Sequence, residues 1–414
     1  MSKTEEQCNA AKLASYELVH LETATKNNLL TAMAAKLRSS SDVIIAENQK
    51  DIQFGKENGL SDSLIDRLSL DKDRIEGIAT SLETIQELED PIHQLIEEWN
   101  RPNGLKIQKI RVPFGVIGII YEARPNVTID AIGLALKSGN AIVLRGSSSA
   151  YHSNKVLSDC CKDVLRDMSQ NADAIQLLED TSRDGVIPFV KLKQYLDLVI
   201  PRGSAGLINT VVDNATVPYI ETGVGNCHVY VDQSADMNIA ESVMVNSATQ
   251  RVSVCNSTES VLLHKDLGDA KIKQLISALL DKNVEVRGCE KSQALDSNVK
   301  AATDSDWGEE FLDMIVSCKV VDSIDDAIGH ITKYGSMHTE CIIATDKDSI
   351  QHFAKSIDAS SIISNASTRF TDGGEFGFGA EMGISTQKSH ARGPMGLKEL
   401  TTYKYVITGD GQLK

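Results

Sequence analysis

Residues 112–146, VPFGVIGIIYEARPNVTIDAIGLALKSGNAIVLRG, contain the clearest indication of the architecture of this chain. Two short apolar runs, VIGII (116–120) and AIVL (141–144), lie on either side of a segment with helical character. Short runs that are apolar throughout are typical of parallel β-strands covered on both faces. The stretch therefore predicts an α/β architecture.

Further apolar runs of the same kind follow along the chain and alternate with amphipathic helical segments. They are LVI (198–200), HVYV (228–231), SVLL (260–263), MIVSCKVV (314–321), CIIA (341–344) and SIIS (361–364). Their repetition predicts two parallel sheets, one before and one after about residue 226.

Outside this alternation, the sequence predicts helices and a small antiparallel element. Residues 1–90 are expected to be helical, because apolar side chains recur there at helical spacing. Pro102-Asn103-Gly104 marks a turn, and GLKIQKIRVP (104–113) alternates as the returning strand of a hairpin would. TTYKYVI (401–407) is predicted to be an edge strand that requires a partner.

The bulk properties limit the class of protein. A chain of 414 residues is expected to form two or three domains. Its formal net charge of −16 argues against nucleic-acid and anionic-membrane partners. It starts without the features of a signal peptide, and no apolar run approaches the roughly 20 residues that span a bilayer. Its eight cysteines lack zinc-ligand spacing. These observations predict a cytoplasmic protein without a metal site.

Two strand-to-helix junctions have the composition of anion-binding loops. Arg145-Gly146-Ser147-Ser148-Ser149 follows the run AIVL, and Pro201-Arg202-Gly203-Ser204 follows LVI. Small residues, an arginine and the free N–H groups of a helix start suit a phosphate. Arg145 beside three serines favours NADP over NAD. GxGxxG is absent, and either loop could instead be an ordinary loop that caps a helix.

Cys255 is the candidate nucleophile. It lies in TQRVSVCN (249–256), between a helical stretch and the strand SVLL, and the nearby Arg251 would favour its thiolate. A lone cysteine is more often a buried filler, and that interpretation is preferred for Cys227, Cys318 and Cys341, which lie in or beside apolar runs. The polar neighbours of Cys255 make the filler interpretation weaker for this cysteine.

Several long segments resemble the γ-glutamyl phosphate reductase family, which belongs to the aldehyde dehydrogenase superfamily. They are residues 112–131, 137–146, 221–232, TQRVSVCN (249–256) and FGFGAEMGISTQKSHARGPMGLKELTTYKY (376–405). The resemblance runs in order over essentially the whole chain. It implies two Rossmann-like parallel-sheet domains with a small β oligomerisation element. It also implies NADPH-dependent reduction of L-glutamyl 5-phosphate to L-glutamate 5-semialdehyde, the second step of proline synthesis from glutamate.

The resemblance also implies residue roles. Cys255 matches the catalytic cysteine that forms a thioester with the acyl group. Asn126 resembles the oxyanion asparagine, although it could simply shape a Pro-Asn turn. The cofactor NADPH/NADP would be held by a set of five loop residues and one glutamate. They are Arg145, Gly146, Ser147, Gly203 and Ser204, together with Glu310, whose alternative is a solvated acid beside Glu309.

Substrate anions require cations, and three arginines are candidates. They are Arg124, Arg251 and Arg392, and any of them could instead form a structural ion pair. Glu221 occupies the place of the general base of hydrolytic aldehyde dehydrogenases. It is expected to line the site without being essential, because an active base would waste the thioester. His338 is expected either to contact substrate or to be structural.

The resemblance implies a division of the chain and a set of partners. Residues 1–99 and 113–226 would bind NADPH, with a return segment at about 355–380, and residues 227–354 would form the catalytic domain. Residues 100–112 and 381–414 would form the oligomerisation hairpin and C-terminal strand of a homodimer or higher even oligomer. A transient complex with glutamate 5-kinase is a further expectation.

Two alternative functions stay open at this point. One is a coenzyme A-acylating aldehyde dehydrogenase, and the other is a non-catalytic nucleotide-binding scaffold. The intact Cys255, Asn126 and loops argue against a scaffold, which would not need them.

Overall fold

The structure is a computed structural model. It describes the backbone of residues 1–414 and the side chains of all of them except residues 62 and 63. The chain divides into two compact units. The first comprises Met1–Thr222, Gly377–Gly383 and Met395–Lys414, and the second comprises Gly223–Phe376 and Ile384–Pro394.

The helices and strands are numbered in chain order. The helices are α1 (Lys3–Leu18), α2 (Thr23–Ser39), α3 (Ser41–Glu57), α4 (Asp62–Leu68), α5 (Lys72–Glu87), α6 (Pro125–Lys137), α7 (Tyr151–Asp167), α8 (Val186–Phe189), α9 (Ala205–Asn214), α10 (Met237–Thr249), α11 (Asp269–Leu280), α12 (Glu290–Leu295), α13 (Ile324–Tyr334) and α14 (Lys347–Ser356). The strands are β1 (Leu95–Asn100), β2 (Lys106–Pro113), β3 (Val116–Tyr121), β4 (Ala141–Arg145), β5 (Ile175–Leu177), β6 (Leu198–Arg202), β7 (Cys227–Val231), β8 (Thr258–His264), β9 (Glu285–Gly288), β10 (Lys300–Ala301), β11 (Ile315–Val321), β12 (Thr339–Ile343), β13 (Ser361–Ser364), β14 (Ile384–Ser385), β15 (Gly393–Pro394) and β16 (Thr401–Thr408).

The predicted N-terminal helices are present, and local signals fix their starts. Ser2 and Glu5 form a capping box at the start of α1, and the side chain of Asp71 accepts the backbone N–H of Arg74 at the start of α5. The apolar stripe of α2 is buried, and so is that of α5, where Leu82 is fully buried. These helices therefore contribute one apolar face each to the core of the first unit.

The first unit contains the parallel sheet that residues 112–146 predict. Its strand order is β5-β4-β3-β6, and β3 and β4 are buried along their whole length. Helix α6, which joins these two strands, is buried almost all round, as its apolar sequence requires.

A three-stranded antiparallel sheet, in the order β1-β2-β16, also belongs to the first unit. Its hairpin turns at Gly104, whose φ of 87° suits glycine and whose N–H donates to the carbonyl of Arg101. β16 pairs with β2 from Thr401 opposite Pro113 onward. The hairpin and the C-terminal strand are thus confirmed.

The second unit contains the second parallel sheet, in the order β10-β9-β11-β8-β7-β12-β13. Helices α10 and α11 pack on one core cluster, which includes Met244 and Leu275, and α13 and α14 contribute Ile331 and Phe353 to the other. Both faces of the central strands are therefore covered, which explains their apolar composition.

Three predicted domain boundaries differ from the structure. The return segment at 355–380 is wrong for most of its length, because β13 pairs with β12 and so belongs to the second unit. The segment 381–414 is interrupted, because Ile384–Pro394 lies in the second unit and carries the β14–β15 pair. The hairpin begins before residue 100, since β1 starts at Leu95. Among the described residues, no helix is both long enough and apolar enough to cross a membrane.

Candidate active site

Cys255 lies in the loop between α10 and β8, where it is half-buried. The loop packs directly on Gly225. A Cβ atom added to Gly225 would lie 1.6 Å from the carbonyl oxygen of Cys255 and 2.6 Å from its Cα, so no larger residue fits. The thiol of Cys227 donates to the same carbonyl oxygen at 3.2 Å. The backbone at Cys255 is therefore held by two close contacts, which fixes the origin of its side chain.

Gly225 is itself held by Glu310. The N–H of Gly225 donates to Oε1 of Glu310 at 2.7 Å, and burial raises the pKa of this half-buried carboxyl. Glu310 is therefore not a solvated acid. The buried Glu259 holds the neighbouring loop, because its carboxyl oxygens accept the N–H groups of Phe311 and Leu312. Burial raises the pKa of Glu259 to about 8.

The residue after the nucleophile ties the loop to a distant segment. The side chain of Asn256 donates to the carbonyl oxygens of Thr371 (2.8 Å) and Arg369 (3.4 Å), and its own carbonyl accepts the hydroxyl of Thr368 at 2.7 Å. This brings Arg369, which the sequence did not single out, beside the Cys255 loop. Its local signal was only a polar position after the run SIIS.

Arg369 points its side chain at the Cys255 loop. Its Nε donates to Oε1 of Gln250 at 2.9 Å. Burial and the neighbouring Arg251 lower the pKa of Arg369, while Asp372 and Cys255 act in the opposite direction. Arg251 itself is exposed. Two arginines of the second unit, Arg369 and Arg251, are therefore near the candidate nucleophile.

Arg392 forms an ion pair. Its guanidinium donates to Oδ1 of Asp358 at 2.7 Å, and Lys388 contacts the other oxygen of the same carboxylate. Of the two roles considered for Arg392, substrate binding or a structural ion pair, the described contacts show an ion pair.

His338 is completely buried, with Nδ1 2.8 Å from the hydroxyl of Thr339 and 3.7 Å from the thiol of Cys227. Burial lowers the pKa of His338 to about 4, so its ring is neutral at physiological pH. It packs behind the Cys255 loop, and this contact supports the structural alternative.

The other thiols are less suited to nucleophilic chemistry. Burial raises the pKa of Cys227, Cys318 and Cys341, so the prediction that they are core fillers is consistent with their environment. Cys289 is half-buried and its pKa is lowered, because hydrogen bonds from the N–H of Val320 and from Ser292 outweigh the effect of burial. It stands at the start of the short helix α12, with no contact to the Cys255 loop among those described.

In the first unit, the loop after β4 is tightly packed. A Cβ atom on Gly146 would lie 2.2 Å from the side-chain nitrogen Nδ2 of the buried Asn154, which would then have to move. The hydroxyls of Ser147 and Ser149 are hydrogen-bonded to each other at 2.8 Å. The first N–H groups of α7, from His152 and Ser153, donate to the carboxylate of Asp51. An acidic side chain therefore occupies the helix start for which a phosphate was expected.

Arg145 is buried, and its guanidinium donates to the carbonyl of Ser182. Burial lowers its pKa, and the nearby Asp180 opposes this. These contacts are structural, so they add no support to the preference for NADP over NAD.

The second loop also contacts an acid. Glu122 accepts the backbone N–H and the hydroxyl of Ser204, both at 3.1 Å. A Cβ atom on Gly203 would lie 2.8 Å from the carboxyl carbon of Glu122. A cofactor phosphate at this helix start would have to replace the carboxylate of Glu122, a residue the sequence did not single out.

A cavity of about 310 Å³ lies beside the first loop, lined by Asp51, Phe54, Ser148, Tyr151, His152, Glu179 and Thr181. It combines two aromatic rings with hydroxyl and carboxylate groups. An apolar wall with a few polar groups is the usual lining of a site for a small organic ligand. Five of its seven lining residues are polar or charged, so this cavity departs from that usual lining.

The remaining candidates lie at the start of α6. Arg124 is its N-cap residue and is half-buried, and the exposed Asn126 donates to Asp130 at 3.3 Å. Burial raises the pKa of Asp130. Glu221 is half-buried, near the end of the first long segment of this unit. The described contacts leave the oxyanion role of Asn126 as a prediction.

Comparison with known proteins gives one consistent result. The model of the aldehyde dehydrogenase family matches residues 2–295. A γ-glutamyl phosphate reductase from Clostridium novyi (strain NT) is 51% identical over 409 residues, which are 99% of this chain and 98% of that protein. One from Alkaliphilus oremlandii (strain OhILAs) is 51% identical over 414 residues, which are all of both chains. The crystal structure of γ-glutamyl phosphate reductase from Thermotoga maritima is 44% identical and covers all of both chains with a TM-score of 0.97.

Proposed function

Because this chain belongs to the aldehyde dehydrogenase family, and within it to the γ-glutamyl phosphate reductases, we propose that it reduces L-glutamyl 5-phosphate to L-glutamate 5-semialdehyde and phosphate. This is the reductive step of proline synthesis from glutamate. The structural observation that carries the proposal is Cys255, half-buried in a loop whose backbone Gly225 and Cys227 hold in place.

The chemistry begins at the sulfur of Cys255. Its thiolate attacks the acyl carbon, the bond from that carbon to the phosphate oxygen breaks, and phosphate leaves with the electron pair. The thioester is then reduced, and its C–S bond breaks to release the aldehyde and the thiolate. The backbone N–H of Cys255 and the amide of Asn126 are the proposed donors to the oxyanion that develops in each half. Glu221 lines the site and does not activate water.

The nicotinamide cofactor supplies the hydride, and we propose NADPH. Its adenosine end is proposed to lie beside the loop after β4, where a phosphate at the start of α7 would have to replace the carboxylate of Asp51. Arg145, Gly146, Ser147, Gly203 and Ser204 are the proposed contacts of that part, and Glu310 is the proposed contact of the nicotinamide ribose. The described contacts of Arg145 are structural, so the preference for NADPH over NADH rests on the family resemblance.

Arg124, Arg251 and Arg392 are the proposed substrate cations. Arg392 already balances Asp358, so it would have to share its guanidinium between that carboxylate and the substrate. Arg124 and Arg251 are half-buried and exposed, respectively.

A cytoplasmic homodimer or higher even oligomer is the proposed assembly. The sheet β1-β2-β16 exposes large apolar side chains, among them Leu95, Tyr405 and Ile407. Exposed apolar side chains at a sheet edge are typical of an interface. A transient complex with glutamate 5-kinase is proposed as well.

The decisive test is the reverse assay with glutamate semialdehyde, phosphate and NADP. Wild type is expected to reduce NADP only when phosphate is present, and Cys255→Ala is expected to be inactive. Cys289→Ser, which changes the other half-buried thiol, serves as the matched control and should retain activity. Strict dependence on coenzyme A would instead establish the acylating alternative. Equal proline-independent growth with wild type and Cys255→Ala would establish the scaffold.

A further inference from the structure

The segment that carries Arg369 is fastened to the Cys255 loop by buried hydrogen bonds. Besides the three bonds of Asn256, the hydroxyl of Thr258 lies 3.1 Å from that of Thr368, and the hydroxyl of Ser247 lies 3.0 Å from that of Ser367. Thr368, Thr258 and Ser247 are almost completely buried. The position of Arg369 relative to the nucleophile is therefore built into the core of the second unit.

The charge around this position is unusual for the chain. The protein has 58 acidic and 42 basic residues, so positive charge is scarce overall. Arg369 is nevertheless oriented by Gln250, the residue that precedes Arg251. Burial and Arg251 lower the pKa of Arg369, and Asp372 and Cys255 oppose this. Asp372 offsets part of this charge, but a partly desolvated guanidinium beside a second cation still favours the binding of a further anion. The arrangement is that of a site for a strongly charged anion.

The proposed substrate carries two anionic groups of different character. Its phosphate is close to doubly charged at neutral pH and is attached to the carbon that Cys255 attacks. Its α-carboxylate belongs to a zwitterionic head, whose ammonium two arginines would repel. Paired arginines beside the nucleophile therefore match the phosphate better than the amino-acid head.

On the basis of the proposed function, we infer that Arg369, together with Arg251, binds the phosphate group of the acyl phosphate and stabilises it as it leaves. The planar guanidinium of Arg369 can hold two phosphate oxygens at once, and the phosphate departs with the electron pair of the broken C–O bond. In the reverse direction the same pair would bind inorganic phosphate. Arg369 is thus a specificity residue for phosphate over other leaving groups.

The reverse reaction separates the two anionic groups, because phosphate and semialdehyde are then different substrates. Arg369→Gln is expected to raise the KM for phosphate roughly 10- to 100-fold, the range for the loss of a charge-assisted bidentate contact, with little change in the KM for semialdehyde. Arg369→Lys, which keeps the charge without the fork, should recover part of the loss. Arg166→Gln removes an exposed arginine paired with Asp163 and is the control.

A second measurement does not depend on turnover. Inorganic phosphate should slow the alkylation of Cys255 by iodoacetamide in wild type, and Arg369→Gln should need roughly 10-fold more phosphate for the same protection. Equal thermal stability of wild type and the variants would show that the substitutions leave the fold intact.

The outcomes discriminate clearly. A raised KM for semialdehyde with an unchanged KM for phosphate would assign Arg369 to the α-carboxylate and overturn the inference. A fall in kcat alone would overturn it in favour of a structural role. Wild type without phosphate-dependent turnover would contradict the proposed function, and the protection assay would then decide the inference alone.

Discussion

Gly225→Ala is expected to disable the Cys255 loop while leaving the rest of the fold in place. The added Cβ would lie 1.6 Å from the carbonyl oxygen of Cys255 and 2.4 Å from its carbonyl carbon. Both contacts are with backbone atoms, so no side-chain rotation can relieve them. One of the two backbones has to move.

The size of the movement follows from the contact. The distance to the oxygen has to open from 1.6 Å to at least 3.0 Å, a displacement of about 1.4 Å. Gly225 is not free to move instead, because Glu310 binds its N–H and Asn226 makes three hydrogen bonds to Trp307, Tyr334 and Ser336. A misplacement of about 1 Å at a catalytic group reduces the rate roughly 100-fold. The overpacking itself should lower the free energy of unfolding by about 1–3 kcal/mol.

The assay compares kcat in the reverse reaction with the rate at which iodoacetamide alkylates Cys255. Gly225→Ala is expected to lose at least roughly 100-fold in kcat. Gly329→Ala is the matched control in the same unit, since nothing lies within 4 Å of the added Cβ in helix α13. Alanine in that exposed helix position should stabilise the protein by about 0.5–1 kcal/mol. If Gly225→Ala kept the wild-type kcat and alkylation rate, the loop would have accommodated the methyl group, and the steric clash would not matter for catalysis.

Two further predictions concern buried charges. Asp90→Asn is expected to lower the free energy of unfolding by about 3–5 kcal/mol, measured in urea titrations. The substitution removes the carboxylate that lies 2.9 Å from the ammonium of the buried Lys26, which is also close to the buried Lys137. A loss below about 1 kcal/mol would contradict this prediction. Glu259→Gln should reduce the pH dependence of stability. The pKa of Glu259 is raised from 4.5 to about 8 on folding, so the folded protein holds a proton that the unfolded chain has released, and stability falls as pH rises through this range. Urea titrations between pH 5 and 8 should show a shallower fall for Glu259→Gln than for wild type, and identical slopes would count against the buried, protonated carboxyl.

The fold could be predicted from sequence because burial on both faces leaves a local mark. Each apolar run singled out in the sequence became a strand, from VIGII in β3 to SIIS in β13, with ends that moved by no more than a few residues. The strands that were missed, β5, β9, β10, β14 and β15, are short and lie at or next to a sheet edge. An edge strand has one open side, so its composition does not have to be apolar.

The candidate site could be predicted only in part. Cys255 stood out because its neighbours in sequence are polar. Arg369 did not, because it reaches the same loop through bonds between Asn256 and a segment more than a hundred residues away. Glu122 was missed for the same reason, since its contact with Ser204 depends on how two strand ends meet. Local patterns report burial, whereas these contacts depend on the tertiary fold.

The place of β16 beside β2 determines the order in which the protein can be completed. The two strands belong to one unit, yet the whole second unit is translated between them. Before β16 has been synthesised, β2 can pair only with β1, so its other side has no partner strand. The first unit, although most of it is synthesised first, is therefore completed only after the second unit, and β2 keeps an open edge until β16 has been synthesised.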